Sequence, residues 1–281
     1  MVVSTPLVQH LQQLIAFLAI LLGPLPLCVS LALTTKSGQE RLALSHSVLS
    51  VLVGWCVTQT SIGLLLGALH VLTFGALILS ELSAFIAGLA CYAYVRRHVW
   101  SCSLRSLLRS SHPFSAVELL ILGAVFVVGA SLSVRVVTQP IVEYDSLAYH
   151  LPVMAKWQQE ASFKMLDQFG QISRYPYNWE VLCTLFLLPF REDFLVACPN
   201  VIAWVLLGLS VYLLSVRIGA SKVQGMAASV LLLTVPILMD QVNTMRVDIP
   251  LAAFFMVSLY FVDLYGQTAS PSTFALSLIH I

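Results

Sequence analysis

The sequence predicts an all-α, polytopic transmembrane protein with interfacial helices in one large extracytoplasmic loop. Three observations carry that prediction. Hydrophobic residues fill 59% of 281 positions and charged residues only 10%, where a soluble domain carries about 25% charged residues. The apolar residues are grouped into runs near the ~20 residues that a bilayer crossing needs. Basic residues fall in alternate connections, which is the asymmetry that orients membrane helices. The net charge of +1 provides no basic footprint for nucleic acid. Membrane lipids are the expected surroundings.

The first span covers about 11–33 and is kinked at "GPLPL", where Pro24 and Pro26 remove backbone donors. It is too long for a signal-peptide core and no basic segment precedes it. Residues 47–95 hold one charge, Glu81. At ~1.5 Å per residue they cross a ~30 Å core twice, with the turn placed near Gly67–His70. A fourth span covers 117–137. After a polar stretch, further spans are expected at 194–216, 226–239 and 249–264, and a last apolar stretch opens at Thr273, so the chain reads as part of a longer protein. The six cysteines lie mostly in apolar runs without CxxC spacing and read as small buried side chains.

Orientation follows from "RRHVWSCSLRSLLRSSHP", which contains Arg96, Arg97, Arg105 and Arg109 and no acid. That loop is expected in the cytoplasm. Counting spans from it puts Lys36, Arg41, Arg217 and Lys222 on the same side. Residues 138–193 and the turn "DQVNTMRVD" (240–248) then share the opposite, extracytoplasmic face.

That face holds the candidate chemistry. In "SLAYHLPVMAKWQQEASF", Leu147, Leu151, Met154 and Trp157 recur at helical spacing, predicting an amphipathic interfacial helix kinked at Pro152. "RYPYNWEVLCTLFLLPF" places Tyr175, Tyr177 and Trp179 at interfacial depth, before a second helix too short to span and so interfacial or re-entrant. Asp145 precedes Ser146 and reads either as an N-cap or as a functional carboxylate at membrane depth. Asp248 opens "DIPLAAFFMVSLYF" and carries the same two readings, with Pro250 in the first turn. His150 is either a structural histidine or a ligand, and Glu143 reads as a solvated loop charge. Arg246, Arg174, Lys156 and Lys164 each read as interface anchors, and together as a group able to hold a phosphate.

"EYDSLAYHLPVMAKW", "RYPYNWEVL" and "RVDIPLAAFFMVSLYF" together resemble membrane glycosyltransferases of the GT-C fold, in the branch of protein O-mannosyltransferases and aminoarabinose transferases. The likeness covers 117–281, leaving 1–116 as N-terminal transmembrane helices of open role plus the basic cytoplasmic loop. It implies a polyprenyl-phosphate sugar donor as partner. Asp145 stands at the position of the family's loop acid and Asp248 at that of its second acid. Two features depart from the family. Four helices precede the acidic loop instead of one, and Asp145 is followed by Ser146 where the mannosyltransferases have Asp-Glu, with Glu143 two residues earlier.

The chemistry implied by that resemblance is inverting transfer, with Asp145 taking the acceptor hydroxyl's proton. Arg246 or a divalent metal would meet the departing phosphate, and Asp248 would position the acceptor or help to hold such a metal with Asp145 and His150. Glu143, Tyr149, His150, Trp157, Arg174, Tyr177 and Arg246 are the candidate substrate contacts. The rival class is a multi-helix transporter or flippase, for which ionisable groups near mid-membrane and related halves are the expected marks.

Overall fold

The computed structural model describes residues 6–34, 42–98, 114–163, 177–190, 192–269 and 271–277. The described chain is entirely helical apart from its connections. Arg174, Tyr175, Lys164, Lys36, Arg41, Arg105 and Arg109 lie outside the described residues.

Among the described residues six stretches are long and apolar enough to cross a membrane. The first joins α1 (Pro6–Leu22) to α2 (Leu25–Thr34) through the expected break. Pro24 has no N–H to offer the Ile20 carbonyl. Side chains of α3 (Ala43–Ala68) supply donors instead: Gln59 Nε2 reaches Ile20 O at 2.6 Å, and Trp55 Nε1 lies 3.3 and 3.2 Å from Ile20 O and Leu21 O. α3 turns back at His70, which adopts a left-handed φ of 59°, into α4 (Phe74–His98). α5 (Ala116–Thr138) opens with a capping box in which Ser115 and Glu118 satisfy each other's amides.

Between α5 and the next span lie a π-helical turn (Ser146–His150), α6 (Leu151–Glu160) and α7 (Asn178–Leu187). Every residue of α7 from Trp179 to Leu187 is buried, and the helix packs on α1, α3, α6 and α8 (Cys198–Arg217). The second helix of the loop is therefore enclosed by protein and does not lie flat on a surface. An apolar helix that is buried all round is what the continuous run "VLCTLFL" provides.

The span expected at 226–239 does not form as one helix. α9 (Lys222–Leu233) stops at Thr234, and α10 (Pro236–Gln241) begins with the proline that broke it. At ~1.5 Å per residue α9 covers only about 18 Å. The two pieces run alongside α5: α9 packs on it, and Asp240 of α10 meets Arg135 near its end at 3.0 Å. α11 (Asp248–Thr268) and α12 (Pro271–Ser277) follow. The central packing unit is α8 against α9 and α11, with α2 against α3 and α4 as the second.

The charges sort by end. One end, called upper here, holds the close of α3 and α5 and the starts of α4, α8 and α11. Arg96 and Arg97 of α4, Arg217 of α8 and Lys222 of α9 lie at the other, lower end. The connections that carry Glu143, Asp145 and Arg246 are all at the upper end.

Candidate functional site

The helical run after α5 starts at Tyr144, and Glu143 caps it. Its carboxylate accepts the Asp145 amide at 3.0 Å and the Ser146 amide at 2.8 Å, the second and third residues of the run, as an N-cap side chain does. The capping duty read for Asp145 thus belongs to Glu143, and Asp145 makes no cap bond. Glu143 is also not a solvated loop charge. Ser146 Oγ donates to it at 2.7 Å and Arg246 Nε at 3.2 Å. Partial burial opposes its charge, and the bonds from Ser146, the Asp145 amide and Arg246 outweigh that and hold the carboxyl below the ordinary glutamate range.

Arg246 links the two loops. Its guanidinium reaches Glu143 Oε1 at 3.2 Å and Asp145 Oδ2 at 3.3 Å. Glu143 above all pushes its already high pKa upward, desolvation opposes this, and Asp145 and then Asp248 add smaller upward pushes. Two carboxylates thus hold one guanidinium, with Asp248 acting from farther off, and a phosphate arriving at Arg246 has to compete with them. Asp248, exposed at the first residue of α11, also lacks the predicted cap bond and accepts from Gln241 Nε2 at 3.1 Å.

A second layer sets the position of the Arg246 loop. Ser146 Oγ accepts the Met245 amide at 2.8 Å. Asn200, buried on α8, donates to the carbonyls of Val242 and Thr244 and accepts Trp179 Nε1 at 2.7 Å. Thr244 Oγ1 in turn donates to Gln241 O at 2.9 Å and accepts the Arg246 amide at 3.2 Å. Hydropathy gave no hint of Ser146 or Asn200, because each is a polar residue on a buried helical face.

The same effect moves the buried stripe of the loop helix. It runs through Ser146, His150, Val153, Met154 and Trp157, while Leu147 is 51% exposed. His150 does not join Asp145 and Asp248. Its ring is buried, with Nδ1 2.7 Å from Oε1 of Glu180 on α7, a carboxylate absent from the sequence expectations. Among the described residues no three His, Cys, Asp or Glu side chains gather to hold a metal. Trp157 is likewise internal, its ring edge-on to Phe163 at 4.7 Å and to Tyr177 at 5.5 Å, so it stabilises the loop and offers no face to a sugar. Tyr149 and Tyr177 are half-buried; Tyr149 stacks on His150 at 4.2 Å.

Two clefts flank this constellation without including its charged residues. One of about 480 Å³ is lined by Leu72, Thr73, Phe74, Gln158, Gln159 and Leu188. Another of about 360 Å³ lies between Gln9, His10, Gln13, Glu192 and neighbouring phenylalanines. The site is thus a part-exposed acidic patch on a hydrogen-bonded base. No family model, curated protein or solved structure matches the chain.

Proposed function

We propose that the upper end of the bundle is the active face of an inverting glycosyltransferase of the GT-C type. The reading moves a sugar from a polyprenyl-phosphate donor to an acceptor hydroxyl, with Asp145 as the general base. One observation carries it. Asp145 sits on the first turn of a helix with its side chain 37% exposed, released from capping by Glu143 and steadied by Arg246. A part-exposed carboxylate free of capping duty and held in place at a helix start is suited to accept a proton.

In the reaction the acceptor oxygen bonds to the anomeric carbon as the bond from that carbon to the phosphate oxygen breaks. The hydroxyl proton passes to an Asp145 oxygen and the lipid phosphate leaves with the electron pair. Neutralising Asp145 removes one of the carboxylates competing for Arg246, whose positive charge then becomes available to the departing phosphate. The basic lower end fits a cytoplasmic placement, which puts the active face outside, with a bacterial inner membrane as the proposed location. The transporter or flippase reading draws on a different observation, the carboxyl of Glu81 inside the bundle.

The test uses the full chain in detergent with a panel of polyprenyl-phosphate sugars and membrane-extract acceptors, comparing wild type with Asp145→Asn. Turnover of one donor by wild type and loss of at least ~10²-fold in the folded variant supports the assignment. Equal turnover removes Asp145 from the chemistry, and no turnover by wild type sinks the transferase reading.

A further inference from the structure

Glu81 is fully buried seven positions into α4, about 10 Å from its upper end at ~1.5 Å per residue. Neither of its oxygens has a hydrogen-bond partner among the described residues, and the same holds for Gln59 Oε1. The Gln59 carboxamide, on facing α3, adjoins the Glu81 carboxyl. Trp55 Nε1 goes to the carbonyls exposed by the break at Pro24, and Gln59 Nε2 gives one of its two N–H groups to Ile20 O. Both Glu81 oxygens and Gln59 Oε1 are thus buried oxygens left without a hydrogen-bond partner among the described residues. An ionised carboxylate there would be an unpaired charge inside a membrane bundle, the costliest arrangement available to it.

The carboxyl is also closely seated. A Cβ on Gly23 would fall 2.3 Å from Glu81 Oε2, so the α1–α2 break has glycine where the carboxyl needs room. Among the described residues α1, α2 and α3 are the helices packed most closely on α4. The ionisable groups they carry are His10, Cys28, His46 and Cys56, with no Asp, Glu, Lys or Arg among them to pair with Glu81. On α4 itself the nearest cations are Arg96 and Arg97, about four turns away.

We propose that Glu81, with Gln59 Oε1 as the acceptor of its O–H, is an intramembrane proton-binding site at the α1–α2 break. A bare proton supplies the missing hydrogen without enlarging the site, whereas a metal ion would have to push the carboxyl off Gly23. The site is separate from the acidic patch at the upper end and stands whether or not that patch transfers sugars.

The test is infrared spectroscopy of the full chain in lipid nanodiscs at neutral pH, wild type against Glu81→Gln. The expected result is a protonated-carboxyl carbonyl band in wild type, shifted in D₂O, that is missing from the variant. Identical spectra overturn the proposal. Loss of the wild-type band on adding sodium chloride at fixed pH also overturns it, by making a metal cation the occupant. A second measurement needs no variant. An apolar carbodiimide adds to a protonated carboxyl: the carboxyl oxygen bonds to the reagent's central carbon, the O–H proton passes to its nitrogen, and rearrangement leaves a stable N-acylurea. The wild-type peptide containing Glu81 should gain one reagent mass, and a chain showing neither band nor adduct refutes the site.

Discussion

Replacing Glu143 by Ala tests the framework that frees Asp145. The substitution removes the cap on the Asp145 and Ser146 amides, worth about 1 kcal/mol. It takes the acceptor from Ser146 Oγ, about 1 kcal/mol more. It also breaks the pair with Arg246, whose side chain is 41% exposed, so that loss is held to roughly 0.5 kcal/mol. The local structure should weaken by roughly 2 to 3 kcal/mol, or about 30- to 150-fold in opening equilibrium. The assay is amide hydrogen exchange in nanodiscs at neutral pH, read at Asp145, Ser146 and Met245. Acid supplies a control. The Glu143 carboxyl is held below its ordinary range, so its contribution is present above the unfolded value near ~4.3 and is lost as pH falls through the folded one. Wild type and variant should therefore converge in acid and differ most at neutral pH. Exchange at Asp145 and Ser146 that is unchanged at neutral pH would refute the capping role.

Asn200→Ala should leave the Trp179 N–H and the Val242 and Thr244 carbonyls short of partners, lowering stability by about 3 kcal/mol, seen as an earlier thermal transition in detergent. Its effect should also appear as faster proteolysis of the 242–247 loop. Gly88→Ala places a Cβ 2.5 Å from the Leu27 backbone nitrogen, which cannot swing away, so α2 and α4 must separate at a cost of about 1–3 kcal/mol; unaltered melting would contradict that contact. Arg135→Met, by contrast, breaks a pair whose side chains are 35% and 73% exposed, and its melting point should fall by less than the equivalent of ~1 kcal/mol.

The spans were legible because each is an apolar run of sufficient length, and the breaks at Pro24 and Pro236 explain where one helix became two. For 226–239 composition suggested a crossing, but Pro236 denied the helix its continuous ladder. The site was only partly legible. Asp145, Asp248 and Arg246 stand out as charges at helix starts, and they do lie near one another. Glu143 was misjudged because glutamate is not a favoured cap, and only three-dimensional placement reveals that its longer side chain folds back over the following amides. Ser146, Glu180 and Asn200 were invisible for a common reason: each is polar, buried and meets a partner distant in sequence. Trp157 misled in the opposite sense: named among the candidate substrate contacts, it faces the protein interior.

The stapling of the Arg246 loop has a practical corollary for anyone splicing sequence into this chain. Val242 to Met245 are buried and fastened by Asn200 and Ser146, so an epitope tag inserted there would pull apart the α8–α11 junction. The turn between α8 and α9 is the reverse. Gly219 adopts φ 110° with open space around it, and Ile218 is 77% exposed. Tags belong at that turn, where an inserted tag would also report on which side of the bilayer the basic end emerges.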